Sequence, residues 1–282
     1  MTAGAGQDRI LLQAGAARAE IAPGHGGRLA SLSFDDHELL VTEQQAAERL
    51  GQNPPPPTQW GMFVMAPWAG RIRHGRFDFD GKTHQLPINK PPHAIHGTLF
   101  DTPCERRDVS QTSATLTWNL AQPWPFAGHV SHTVELREDS ITLTLEVSAT
   151  EAMPVTVGWH PWWRLDIGTG KPLELDFSPK QMYLRDEEGI PTGELVTPSP
   201  GPWDDCFPRP SEPIRLVWPG AVTLRLETSA ADVVVFTQPE HARCVEPQTG
   251  PPDAVNLPGK EGAVSVAAGQ SLVAVSRWIR EA

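Results

Sequence analysis

Apolar side chains recur at every second position through much of the chain, and this period constrains its fold more than any other feature. In residues 140–147, Ile141, Leu143, Leu145 and Val147 alternate with Ser, Thr and Glu. An extended backbone places all four on one face. Val130, Val134 and Leu136 precede them at even spacing, with Glu138-Asp139 between the runs, which predicts an antiparallel hairpin. Residues 222–226 repeat the pattern. Shorter apolar runs occupy residues 233–236 and 272–275, the last entered through a turn at Gly269-Gln270.

Helical periodicity is nearly absent. Residues 42–50 are the exception, with Thr42 as N-cap, Gln45 three residues on and Gly51 as terminator. The prolines at 54–57 predict an extended, stiff surface connector. The 29 prolines and 24 glycines fall between the apolar runs, so they read as turn punctuation and not as low complexity. Strand signals run from about residue 10 to residue 279 without a linker or a fixed-period repeat. The expectation is one all-β domain over residues 1–282, a single large antiparallel β-sandwich.

With 34 acidic and 23 basic residues the formal charge is −11. That balance opposes a nucleic-acid surface, which needs a basic footprint, and docking on anionic membranes. No stretch approaches the roughly 20 apolar residues of a spanning helix, and residues 1–19 lack the pattern of a signal peptide. Cys104, Cys206 and Cys244 show no CxxC spacing, which fits a reducing compartment. A cytoplasmic protein is expected.

Several segments look unlike ordinary strand or turn sequence. Trp60, Trp68, Trp159, Trp162, Trp163 and Trp203 lie beside His, Arg and Asp residues. Core packing explains any single Trp, whereas indoles grouped with polar side chains also suit a sugar pocket. His93 and His96, with His160 as a third donor, have a spacing compatible with a metal site, against which His93 reads better as structural. Glu246 is followed by Pro247 and a Gly/Pro-rich stretch, so it belongs at a strand end where loops build pockets. A carboxylate and an imidazole together suit proton exchange near neutral pH.

Taken in order, AGRI around Arg71, HAIHG ending at His96 and Gly97, GWHPWWRL around His160, DDCF at Asp204 and CVEPQTGPPDAVN around Glu246 resemble the aldose 1-epimerase (galactose mutarotase) family. The resemblance runs from about Glu20 to the C-terminus and is nearest the mutarotase-like branch. It implies a β-sandwich of supersandwich type that interconverts α and β anomers of free aldohexoses without metal or organic cofactor. It further implies Glu246 as catalytic base, His160 as catalytic acid and His96 at the ring oxygen, with Arg71 and Asp204 holding substrate hydroxyls. Trp162-Trp163, where a Tyr or Phe is more usual after the acid histidine, would narrow the pocket, and Thr98 replaces the family's second glycine after the HG pair. The adjacent Asp205 competes with Asp204 for the substrate role. The implied partner is a small sugar, with the protein a monomer or homodimer. Two alternatives share the fold. One is a hexose-6-phosphate epimerase using Arg73, His74, Arg76 and Lys90 for the phosphate. The other is a sugar-binding domain without turnover.

Overall fold

The predicted antiparallel hairpin forms, with the alternating apolar residues on its buried face. Gly128–Leu136 runs antiparallel to Ser140–Ala149, with Leu136 opposite Ile141, and Ile141, Leu143, Leu145 and Val147 are fully buried. This computed structural model describes residues 9–209, 211–260 and 264–281.

Among the described residues, the hairpin belongs to an eight-stranded antiparallel sheet. Its order is Glu105–Arg107, Ser113–Leu120, Gly128–Leu136, Ser140–Ala149, Ser271–Glu281, Val222–Thr228, Ile214–Trp218, Glu174–Asp176. Its inward residues are buried while the outward ones are mostly Thr, Ser and charged, as expected where one face meets the core and the other meets water. The predicted strands at residues 222–226 and 272–275 both lie here, and Gly269 turns the chain at φ 78°.

The second large sheet runs in the order Ile10–Ala14, Ala17–Ala22, Arg28–Phe34, Met62–Met65, Gly158–Pro161, Ala242–Gln248, Asp232–Phe236, Asp204–Pro208. Its central strands are buried on both faces. Met62, Val64, Trp159, Val233, Val235 and Val245 share one hydrophobic core with the inward face of the first sheet. Phe63, Met65, Trp162 and Cys244 belong to a second, smaller cluster on the opposite face. That opposite face carries the cleft described below.

The predicted helix is Glu43–Leu50. The Thr42 hydroxyl accepts from the Gln45 N–H at 3.3 Å, the Gln45 side chain accepts from the Thr42 N–H at 3.0 Å, and Gly51 ends the helix in the left-handed region. The prolines at 54–57 differ from a free surface connector. Pro55 is buried, and Pro56 closes a turn by accepting from the Gln59 N–H. The tryptophans sort mostly into packing: Trp60, Trp159 and Trp163 are buried in the two cores, Trp68 stacks on Trp124, and Trp203 meets Phe177 and Phe207 edge-on. Of the six grouped beside polar residues, Trp162 lines the cleft. No helix among the described residues is long and apolar enough to cross a membrane.

Candidate active site

Strand register alone assembles the centre of the site. Gly158 lies opposite Gln248, and Trp163 lies opposite Arg243 in the continuing segment, so the same antiparallel register sets His160 against Glu246 and Trp162 against Cys244. On the flanking strands His160 pairs with Phe63, Glu246 with Val234, and Val234 with Cys206. One row across the sheet therefore reads Phe63, His160, Glu246, Val234, Cys206. The next row reads Trp162, Cys244, Phe236, Asp204. Successive residues of a strand face opposite ways, so both rows look out from the core side into one cleft.

The cleft holds about 410 Å³, and Arg71, His96, His160, Trp162, Asp204 and Glu246 all line it. Its size and mixed lining suit a small polar molecule. All six residues proposed from the sequence therefore converge, although five separate chain segments supply them.

The Nε2 of His160 stands 3.4 Å from Oε1 of Glu246, and both side chains are buried. The imidazole is sandwiched between Phe63, at 4.6 Å between ring centres, and Trp162 at 5.4 Å. Burial drives the His160 pKa down to about 3, helped by the nearby Arg28 charge. Burial likewise holds the Glu246 carboxyl well above the usual range. The Asp204 charge adds to that rise, and Arg71 and Gln248 oppose it. The pair therefore favours its uncharged form, with one proton between two residues, as desolvation demands.

His96 meets the His160 ring edge-on at 5.1 Å. Burial first, then the facing His160 ring and the positive charges of Arg71 and Lys90, lowers its pKa well below the ordinary histidine value. It sits in the left-handed region at φ 63°, followed by Gly97 at φ 76°. A Cβ on Gly97 would stand 2.0 Å from the Ala66 carbonyl oxygen, so the HG pair is a packing requirement of the turn that presents His96. Arg71 reaches the cleft from a short ladder opposite Ile95, and its guanidinium lies 3.7 Å from Asp204.

Alternation also separates the two adjacent aspartates. Asp204 lines the cleft, with burial raising its pKa against the pull of Arg71 and Arg185. Asp205 alternates to the other side of the strand, is not among the cleft-lining residues and binds the Arg185 Nε at 2.8 Å, while the same guanidinium reaches Asp204 at 3.6 Å.

The proposed phosphate cluster does not gather here. Arg73 is engaged by Asp186 and Glu188, and His74 by Glu188 at 2.9 Å. Lys90 does line the cleft. The histidine metal set does not converge either: His93 stacks on His74, and its Nδ1 accepts from the His74 N–H at 3.2 Å.

Sequence reasoning missed several contributors. The Gln248 amide donates to Oε2 of Glu246 at 3.4 Å, and its position two residues along the strand would have revealed it. Arg28 is fully buried over Trp60, 4.1 Å from the ring centre, and donates to the carbonyls of Pro57 and Phe100. It thereby ties two cleft-lining segments together, at the expense of a pKa lowered by burial to about 10. No local pattern announces Arg28, Phe63 or Arg185, because long-range pairing brings them in.

The chain matches the aldose 1-epimerase family over residues 8–277. It is 28% identical over 177 residues to the uncharacterized protein YihR of Escherichia coli, a match covering 59% of this chain and 54% of that protein. It is 33% identical over 138 residues to the galactose mutarotase of Pongo abelii, covering 45% of this chain and 40% of the relative. These matches thus span about half or less of the curated relatives. The solved structure of the GalM/aldose epimerase homologue from C. elegans superposes with a TM-score of 0.81 at 16% identity, over 97% of this chain and 98% of that one. Fold and family agree: the chain belongs to the aldose 1-epimerase family.

Proposed function

We propose that the protein is an aldose 1-epimerase acting on free aldohexoses, with Glu246 and His160 as its proton-transfer pair. The observation that carries this reading is their opposition across adjacent strands, 3.4 Å apart at the cleft wall. Opening a hemiacetal requires the O1 proton to leave, the C1–O5 bond to break and O5 to gain a proton. Glu246 as carboxylate takes the first proton while His160 as imidazolium delivers the second. Rotation about C1–C2 then presents the other carbonyl face, and the same groups run the steps in reverse.

The pair needs one proton between its two members, which is the count that burial favours. Burial makes that proton prefer Glu246, and a bound sugar's own O1 and O5 dipoles supply the solvation that the charged distribution needs. General acid–base assistance of this kind contributes about 10²–10⁴-fold. Arg71 and Asp204 grip hydroxyls, His96 stands by O5, and Trp162 walls the ring. The engagement of Arg73 and His74 by acidic residues favours a neutral sugar over a 6-phosphate. In this reading the chain works as one unit in the cytoplasm, as a monomer or homodimer, with a small sugar as partner and neither nucleic acid nor membrane.

Polarimetry on freshly dissolved D-glucose and D-galactose tests it. Wild-type protein accelerates the approach to rotational equilibrium, and Glu246→Gln removes the acceleration with the fold unchanged by circular dichroism. A wild-type chain inert on every free aldohexose overturns the proposal, and activity confined to glucose 6-phosphate replaces it with the hexose-6-phosphate reading.

A further inference from the structure

The two rows of the sheet bring a third donor to the proton-transfer pair. Cys244 precedes Glu246 by two residues on the same strand face, and its sulfur, an imidazole nitrogen of His160 and a carboxylate oxygen of Glu246 all lie within 4.8 Å of one another. Among the described residues, this is where three such donors converge. The His160–Glu246 separation of 3.4 Å exceeds the 2.7–3.2 Å of a good N–H···O bond. Two ligand atoms, each about 2.0–2.1 Å from a tetrahedral zinc, lie about 3.4 Å apart.

We propose that His160, Cys244 and Glu246 form an exchangeable site for a thiophilic divalent cation, Zn²⁺ in the first instance, which blocks the cleft. A thiolate and a carboxylate together neutralise the ion, so the buried assembly carries no net charge. Thiolate and imidazole ligands select zinc over magnesium or calcium. Binding forms S–Zn, N–Zn and O–Zn contacts and releases the thiol proton and the proton held by the pair. The ion enters through the cleft, where His160 and Glu246 are wall residues, and reaches Cys244, which is fully buried beside them. The buried His160 ring has a hydrogen bond with its own backbone, and no other residue partners its Nδ1 among the described residues, so the carboxylate or neighbouring carbonyl that braces the histidines of resident zinc sites is lacking. That absence favours a reversible, inhibitory ion. Binding itself does not depend on the proposed function; only the effect on turnover rests on it.

Equilibrium dialysis of the full chain against Zn²⁺, and titration with Co²⁺ followed by absorption, test the proposal. One equivalent per chain is expected, with a thiolate-to-cobalt charge-transfer band. Cys244→Ala and Cys244→Ser are each expected to weaken binding at least tenfold and to abolish the band, whereas Cys206→Ala keeps both. In polarimetry Zn²⁺ inhibits and excess chelator restores the rate. Absence of the thiolate band in the wild-type chain, or its survival in both Cys244 variants, overturns the site. A chain that binds zinc in this way yet never mutarotates any sugar upholds the site and overturns the epimerase reading.

Discussion

His160 Nε2 faces Glu246 Oε1 across two hydrogen-bonded strands, and burial moves the two pKa values in opposite directions, histidine down and glutamate up. The one-proton form of the pair is thereby widened on both sides. A second proton enters only near the lowered histidine value of about 3, and the single proton leaves only at the raised glutamate value. kcat/KM for mutarotation is expected to show no loss from histidine protonation as pH falls through 6.5, the acid limb falling only toward about 3, and to fall on the alkaline side as the raised Glu246 carboxyl gives up the pair's proton. A steep loss as pH falls through 6.5, measured by polarimetry across a buffer series, contradicts this coupling.

Asp204→Asn and Asp205→Asn are expected to separate. A hydrogen bond to a charged group contributes about 1.5–3 kcal/mol, so Asp204→Asn raises KM about ten- to a hundredfold with a smaller change in kcat. Asp205→Asn leaves KM nearly unchanged and weakens the bond to Arg185 that now measures 2.8 Å. It lowers stability by about 1–3 kcal/mol in urea unfolding. Equal effects of the two substitutions on KM would refute the assignment of faces.

Gly97→Ala forces a side chain onto a backbone at φ 76° and toward the Ala66 carbonyl oxygen. A strained position of this type costs on the order of 1–3 kcal/mol, and relieving it displaces the neighbouring His96. Both the melting temperature and kcat are expected to fall. Retention of both shows that the turn has room to relax.

His132 gives a pH-dependent stability remote from the cleft. Trp159 donates to its Nε2 at 3.1 Å within the core, and burial lowers its pKa from 6.5 to about 4. Between those values the unfolded chain binds a proton that the folded chain refuses. Stability is therefore complete above pH 6.5 and declines as pH falls toward 4, by about 3 kcal/mol for this residue. His132→Gln still accepts from Trp159 and does not titrate, so it flattens that part of the slope in urea unfolding at pH 7 and pH 4.5. An unchanged slope locates the effect elsewhere.

Much of the site was legible in sequence because period-2 alternation is local. It assigns faces within a strand, which is why the 128–149 hairpin is readable. The same parity, continued from Glu246, reaches Gln248. The capping residues of Glu43–Leu50 are equally local. What alternation cannot supply is which strand lies beside which. Phe63 against His160 and Arg185 against Asp205 depend on pairings across long stretches of chain, and a shift of one residue would have reversed every face. Trp60, Trp159 and Trp163 show the other limit, since a motif's neighbourhood along the chain does not say which side of the sheet a side chain takes.

The reacting pair rests on strands near the middle of a wide sheet, whereas much of the rim comes from turns around Pro57, Lys90 and Phe100. On the proposed reading, chemistry and selectivity are mechanically decoupled: the pitch of the backbone ladder sets the gap between Glu246 and His160, and the rim decides which guest is admitted. If the chain is the epimerase proposed above, grafting those turns between relatives is expected to exchange sugar preference while leaving the Glu246–His160 gap unchanged.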